Sequence, residues 1–133
     1  MTSKVIYKGG LRTEAEHLKS GSVIITDAPV DNHGKGQAFS PTDTVATALA
    51  SCMLTVMGIK AEEMQVDLTG TNASVTKTMA AEPRRISKID VVVEFQSNFS
   101  DKEKKILENT ARTCPVLNSL HPDMEKNISF RYK

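Results

Sequence analysis

The segment from Ser40 to Met64 most constrains the fold, because it has the sequence of one long apolar helix. A serine followed by proline and, three residues after the serine, by a carboxylate is typical of a capped helix N-terminus. Beyond this start, apolar side chains recur at intervals of three or four residues, at Val45, Leu49, Cys52, Val56 and Ile59. This spacing predicts a helix to about Met64 whose single apolar stripe is buried and includes Cys52.

Strand patterns flank this helix on both sides. Residues 4–17 and 22–28 are rich in β-formers and are separated by a turn at 19–21, which predicts two strands in an N-terminal hairpin. Residues 29–37 predict a polar loop. Residues 67–78 and 85–96 predict a second hairpin. A capping box at Ser100 predicts a helix that runs through Arg112, and Pro115 predicts the start of another helix. Residues 127–133 predict a final strand.

The resulting order, β-β-α-β-β-α-α-β, predicts an α+β fold in which antiparallel sheets pack on central helices. With 133 residues the chain predicts a single domain, 1–133, that buries a sizeable core without covalent staples. One copy has few elements with which to cover so long an apolar helix. We therefore expect a homodimer that shares this burial.

Charge and composition restrict the partners. Seventeen basic and sixteen acidic residues give a net charge of +1 with no block of like charge, so neither nucleic acid nor an anionic membrane is favoured. The N-terminus lacks the apolar core of a signal peptide, and the uninterrupted apolar stretches are shorter than the ~18 residues of a membrane span. The sequence therefore predicts a cytoplasmic protein with no membrane partner.

The chain has two cysteines, Cys52 and Cys114. In a reducing compartment a cysteine pair is more often catalytic, redox-sensing or metal-binding than structural. Pro115 places Cys114 at a helix N-terminus, where the pKa of a thiol is lowered. The alternative for Cys52 is a buried thiol that only packs as a small hydrophobic group. Sequence separation cannot decide whether the two thiols meet.

Other chemistries fit the cysteines less well. A zinc site would need two more ligands from three histidines, of which only His121 lies near a cysteine; the others are His17 and His33. A cysteine hydrolase would be expected to have a nucleophile motif around Cys52, and none is present. We therefore predict no metal and no bound cofactor.

Three segments together resemble the osmotically inducible protein C and organic hydroperoxide resistance (OsmC/Ohr) family, in its OsmC-like branch. They are Ala-Phe-Ser-Pro-Thr-Asp at 38–43, Ala-Leu-Ala-Ser-Cys at 48–52 and Thr-Cys-Pro-Val-Leu-Asn-Ser-Leu at 113–120. The resemblance implies an intertwined α+β homodimer that acts as a thiol-dependent peroxidase on small organic hydroperoxides. It also implies that an external dithiol, such as a lipoyl-bearing protein, is the reductant.

By position in these motifs, the resemblance implies that Cys52 is the peroxidatic cysteine and Cys114 the resolving cysteine. The family's thiolate is helped by an arginine from the N-terminal strands, held by a glutamate directly after the helix-opening proline. Here that position is Thr42, and the nearest carboxylate is Asp43, either a catalytic orienting group or only the helix cap. Arg12 and Lys35 are both candidates for the cation.

This departure keeps two other functions open. One is a non-catalytic dimeric stress protein that binds a hydrophobic small ligand. The other is a thiol-disulfide redox regulator, in which Cys52 and Cys114 form a reversible disulfide without peroxide turnover. The absence of a glutamate at the position of Thr42, together with an arginine that the sequence does not place, favours the first of these, the non-catalytic protein.

Overall fold

The computed structural model describes all 133 residues, which divide into two compact units, Met1–Val45 and Ala46–Lys133. The N-terminal unit contains strands β1 (Ser3–Gly9), β2 (Arg12–His17) and β3 (Val23–Asp27) and a 3-10 turn at Val30–Asn32. It also holds the first turn of helix α1 (Pro41–Met64), whose remainder belongs to the C-terminal unit.

The N-terminal strands form an antiparallel sheet in the order β1-β2-β3. The sequence predicted one strand over 4–17, and this is wrong, because the chain reverses direction between β1 and β2. Gly9 and Gly10 adopt φ angles of 81° and 61°, which residues without a Cβ reach without steric cost. The observed order is therefore β-β-β-α-β-β-α-α-β.

The C-terminal unit continues with β4 (Asn72–Ala80), β5 (Arg85–Phe95), α2 (Asp101–Ala111), α3 (Pro115–Ser119) and β6 (Glu125–Tyr132). Its sheet has the order β4-β5-β6, with β4 antiparallel to β5 as the hairpin pattern predicted. The last strand, however, pairs parallel with β5. Helices α2 and α3 carry the chain back along the sheet, which is the crossover that parallel neighbours need. The α+β class is confirmed.

Helix α1 supplies much of the core of the C-terminal unit, but through a different face from the predicted one. Its buried residues are Ala46, Leu49, Ala50, Met53, Met57 and Ala61. Of the predicted stripe, Leu49 is buried, Cys52 and Val56 are partly buried, and Val45 and Ile59 are 40% and 58% exposed. A helix that is apolar nearly all round does not reveal from its sequence which face the sheet will cover.

Strand β5 and helix α2 complete this core. The side chains that meet α1 are fully buried, and they are Ile89, Val91, Val93, Phe95, Leu107, Ala111 and Cys114. Four of them, Ile89, Val91, Val93 and Phe95, alternate along β5, as expected for a strand with one face on the core. Cys114 therefore belongs to the core, while Cys52 packs against it from α1.

By length and composition, α1 could cross a membrane, because an 18-residue window reaches a mean hydropathy of 1.5. The window reaches this mean because Thr, Ser and Gly stand between its strongly apolar residues without adding charge, so it is not an uninterrupted apolar stretch. The core helix of a globular unit passes the same test. One face of α1 is buried against β5 and α2, which is the packing of a core helix.

Candidate functional site

Cys114 is positioned by the junction between α2 and α3. Helix α2 ends at Ala111, and Cys114 is the N-cap of α3, with Pro115 at the first helical position. Its Sγ accepts a hydrogen bond from the backbone N–H of Leu117 at 3.3 Å. The predicted helix-terminal placement of this cysteine is confirmed, and its side chain is completely buried.

The structure brings the two thiols together. Both cysteines are free, and the Cys114 thiol hydrogen-bonds to the side chain of Cys52. Cys52 reaches this contact from the partly buried side of α1, adjacent to the face that packs into the core. The pair lies within the C-terminal unit, so its geometry depends only on α1 and the α2–α3 junction.

Burial raises the pKa of the Cys114 thiol, and this effect outweighs the helix N-terminus. The N–H groups of Leu117 and Val116 act in the opposite direction, while the hydrogen bond to Cys52 and repulsion from Cys52 raise the pKa further. The predicted lowering of this pKa is therefore wrong, because removal from water disfavours the thiolate more than α3 favours it. Cys114 consequently stays protonated and can donate its proton to Cys52 Sγ.

In the N-terminal unit, Arg12 is held by a buried carboxylate. Arg12 Nε donates to Asp27 Oδ1 at 2.7 Å, and Arg12 Nη2 donates to Asp27 Oδ2 at 2.8 Å. Nη2 also donates to Gln37 Oε1 at 3.2 Å, and the Gln37 backbone N–H donates to Asp27 Oδ2 at 3.2 Å. Asp27 is 1% exposed and the Arg12 side chain 32%, so the guanidinium is fixed by a buried carboxylate while its side chain stays partly exposed.

The charges of this cluster reinforce one another. Its hydrogen bond to Arg12 holds the pKa of Asp27 below its usual value, although burial acts in the opposite direction. The charge of Arg12, the Gln37 N–H and the charge of Lys35 contribute smaller lowering effects. The same ion pair raises the pKa of Arg12. Asp27 is therefore ionised and Arg12 charged across the whole physiological range.

Asp43 lies at the start of α1, where it closes the predicted capping box. Its Oδ2 accepts a hydrogen bond from the Ser40 backbone N–H at 3.0 Å, and its own N–H donates to Ser40 Oγ at 3.0 Å. The helix-cap interpretation of Asp43 is confirmed. A catalytic orienting role for this residue stays a prediction.

The other candidate cation, Lys35, is an exposed side chain of the loop after β3. Its Nζ lies beside Gly10, where an added Cβ would be 3.6 Å away. It affects Asp27 through its charge, whereas Arg12 also makes two direct hydrogen bonds to that carboxylate. Of the two cations, Arg12 is thus the one with a fixed direction.

Nowhere in the chain do three or more His, Cys, Asp or Glu side chains form a group that could hold a metal ion. Two of the three histidines have local partners, since His17 Nδ1 lies 2.6 Å from Ser20 Oγ and His121 Nδ1 lies 3.9 Å from an Asp123 oxygen.

Sequence reasoning missed Asp27 and Gln37. A signal for Asp27 was available, because Arg12 and Asp27 pair directly across β2 and β3, at equal distances from the turn of the hairpin. Opposite charges at such facing positions attract one another. Gln37 gave no signal of this kind, because it lies in a loop whose path the sequence pattern does not specify.

The family model for "OsmC-like protein" matches residues 34–129, which include both cysteines and the start of α1. The chain therefore belongs to the OsmC-like family. No curated protein matches it. The OsmC-like motifs predicted this membership from three short segments, and the family match extends it across most of the chain.

Solved structures agree with this assignment. One is described as an osmotic stress induced and detoxification response protein from Psychrobacter arcticus 273-4, and it is 57% identical to this chain. Its TM-score is 0.96, and the match covers 98% of this chain and 96% of that one. An organic hydroperoxide resistance protein OsmC from Legionella pneumophila is 17% identical, with a TM-score of 0.76 over 98% and 97% of the two chains. A Vibrio cholerae structure with captopril in one of its active sites is 16% identical, with a TM-score of 0.75 over 98% and 91%. The two distant structures establish the OsmC-like fold.

Proposed function

We propose that this OsmC-like protein is a thiol-dependent peroxidase that reduces organic hydroperoxides to alcohols in oxidative stress defence. The contact between the Cys52 and Cys114 thiols is the observation that carries the proposal, because two reduced cysteines in contact can store the two electrons that a hydroperoxide removes. Membership of a family with organic hydroperoxide resistance proteins supports the choice of substrate.

The proposed reaction has three steps. The Cys52 thiolate attacks the distal oxygen of the hydroperoxide, the O–O bond breaks, and the alkoxide leaves as an alcohol after it takes a proton. Cys52 is then a sulfenic acid, which Cys114 attacks to form a disulfide, and the Cys114 proton leaves with the hydroxyl as water. An external dithiol reopens the disulfide by two thiol exchanges and is itself oxidised to a disulfide.

The environments of the two sulfurs support this division of roles. Cys114 is completely buried and has a raised pKa, so it is a poor first nucleophile. Cys52 is partly exposed, so a hydroperoxide can reach its sulfur more readily than that of Cys114. We therefore assign Cys52 as peroxidatic and Cys114 as resolving. A cytoplasmic location, where a lipoyl-type dithiol is available, would keep both cysteines reduced.

Arg12 and Lys35 both stay candidates for the cation that stabilises the Cys52 thiolate, and two observations favour Arg12. The family resemblance implies an arginine from the N-terminal strands, and Arg12 lies on β2. Its guanidinium is fixed by Asp27 and Gln37, so little conformational entropy is lost when it binds an anion.

Peroxide consumption tests the proposal directly. With cumene hydroperoxide and dithiothreitol, we expect the intact protein to turn over many times. With that reductant omitted and peroxide limiting, the Cys114→Ser variant should consume about one equivalent per Cys52. With excess peroxide it should consume further equivalents as Cys52 is overoxidised, because no resolving thiol traps the sulfenic acid. Peroxide loss and the mass of the Cys52 peptide report both results.

The same assay distinguishes the alternatives. A reversible disulfide between Cys52 and Cys114 with no peroxide turnover would establish a redox regulator instead. No peroxide loss above the dithiothreitol background and no disulfide would favour a ligand-binding stress protein.

We also propose that the protein is a homodimer, because the N-terminal sheet leaves a large apolar surface in water. Val5, Tyr7 and Ile24 lie on one face of that sheet by register and are 61%, 64% and 58% exposed. Exposed apolar surface of this kind usually marks an interface. A second copy of the chain, as the family resemblance implies, is the proposed cover.

Sedimentation equilibrium should therefore give twice the mass of the chain. Replacing both Val5 and Ile24 by lysine is expected to shift the protein to monomer, because two charges would have to be buried in an apolar contact. Glu16→Lys, an exposed position on the opposite face of β2, is the control and should remain dimeric. A monomeric parent protein at micromolar concentration would contradict the proposal.

A further inference from the structure

In the reduced protein Cys114 also caps helix α3. Pro115 at the first helical position has no N–H, so the donors of the first turn are the N–H groups of Val116 and Leu117. Both interact with Cys114 Sγ, and the distance from the Leu117 nitrogen to the sulfur is 3.3 Å. One sulfur therefore satisfies the N–H groups with which this helix begins.

Helix α3 has little else to hold it. It contains five residues, far fewer than the ~12–15 that make a helix stable on its own. Its contacts with the core come from half-buried side chains, which are Val116, Leu117 and the following Leu120. The remaining residues, Pro115, Asn118 and Ser119, are exposed. In so short a helix, loss of the cap changes the population of the open form several-fold.

Cys52 is held more firmly than the helix that Cys114 caps. It lies in the middle of the 24-residue helix α1, where its neighbours Leu49 and Met53 are fully buried. The two sulfurs are in hydrogen-bond contact and are not joined. A covalent bond brings two sulfurs closer together than a hydrogen bond does. Because α1 is packed by fully buried side chains, the movement falls on the α3 side and draws Cys114 Sγ away from the Leu117 N–H.

We propose that closure of the Cys52–Cys114 disulfide uncaps α3, and that the loosened helix admits the external dithiol; this rests on the proposed function. Oxidation removes one hydrogen from each thiol and joins the two sulfurs. Cys114 is completely buried before this step, whereas thiol–disulfide exchange requires access to a sulfur. Uncapping supplies that access only in the oxidised protein, which is the form that needs the reductant. Reduction restores the cap and closes α3 again.

Uncapping and simple cross-linking predict opposite effects on α3. A disulfide that acted only as a cross-link would tie α3 to α1 and slow the exchange of its amide hydrogens. A disulfide that uncaps α3 leaves Val116 and Leu117 without their acceptor, so their amide hydrogens exchange faster. Helix α2 is an internal reference, because its capping box consists of Ser100 and Glu103 and contains no sulfur.

Hydrogen exchange followed by mass spectrometry measures the first effect on the whole chain. Diamide, which takes up one hydrogen from each thiol, forms the disulfide without peroxide, and loss of both free thiols confirms it. We expect peptides covering residues 115–120 to exchange about fivefold faster in the oxidised protein, as one lost cap implies. Peptides of α2 should not change. In Cys114→Ser the hydroxyl can cap α3 and no disulfide forms within the chain, so diamide should leave its exchange unchanged.

The rate at which dithiothreitol reduces the disulfide measures the second effect. Asn118 is an exposed residue of α3, where alanine stabilises the helix relative to glycine. We expect the disulfide of Asn118→Gly to be reduced about fivefold faster than that of Asn118→Ala. Both should consume the first equivalent of cumene hydroperoxide at equal rates, because Cys52 lies on α1. Asn109, an exposed asparagine of α2, is the matched control, and its two variants should be reduced at equal rates.

The outcomes separate this inference from the proposed function. Exchange of α3 that is unchanged or slower after oxidation would overturn the uncapping. Equal reduction rates for Asn118→Gly and Asn118→Ala would overturn the role of α3 in admitting the dithiol. Failure of diamide to join the two cysteines would overturn the whole inference and the resolving role of Cys114. A protein that forms the disulfide and loosens α3 but consumes no hydroperoxide would refute the peroxidase alone.

Discussion

The Cys52→Ser variant is expected to lose hydroperoxide consumption by at least about a thousandfold, down to the dithiothreitol background. The nucleophile in the proposed reaction is a thiolate, and a serine hydroxyl does not ionise near neutral pH. The hydroxyl also cannot be oxidised to a species that Cys114 could reduce. The initial rate of cumene hydroperoxide loss, compared with the parent protein at equal concentration, measures the effect.

Two controls make this result specific to Cys52. Ser51→Ala changes the neighbouring exposed residue on α1 and should retain the parent rate. Cys114→Ser should still oxidise once, which separates loss of the nucleophile from loss of the resolving thiol. If Cys52→Ser kept more than a few per cent of the parent rate, Cys52 would not be the peroxidatic residue.

The largest effect on stability is expected from Phe95→Ala, which should lower the free energy of unfolding by about 3–5 kcal/mol. Phe95 is completely buried at the end of β5. Its ring stacks on Tyr132 at 4.9 Å and Phe130 at 6.2 Å between centroids, and meets Phe99 edge-on at 5.6 Å. Removing it leaves a cavity and breaks an aromatic cluster that joins β5 to β6.

Urea unfolding followed by circular dichroism measures this change. Phe39→Ala removes the same ring from a position that is 55% exposed and should cost less than about 1 kcal/mol at the same protein concentration. A loss of similar size in both variants would mean that the cost comes from the aromatic residue itself and not from its burial in the β5–β6 cluster.

Local signals in the sequence predicted the parts of this protein that depend on neighbouring residues. Ser40, Pro41 and Asp43 located the start of α1, and its apolar length located the end at Met64, as observed. Ser100 and Glu103 located α2 in the same way, and Pro115 put Cys114 at the N-cap of α3. Caps and proline constraints act within one turn, so their effects can be derived without knowing the fold.

The family assignment also came from the sequence, because its motifs are short and contiguous around the two cysteines. The same motifs placed Cys52 and Cys114 on helical elements. They predicted a departure at Thr42, where the expected carboxylate is absent. They did not identify the residue that pairs with Arg12.

Only the tertiary structure decided the long-range features. These are the direction of β6, the face of α1 that packs into the core, the contact between Cys52 and Cys114, and the pairing of Arg12 with Asp27. Each depends on groups far apart in the chain, and an apolar helix or a hairpin is compatible with several partners. The pKa of Cys114 has the same origin, because the core formed around it disfavours the thiolate more strongly than its own helix favours it.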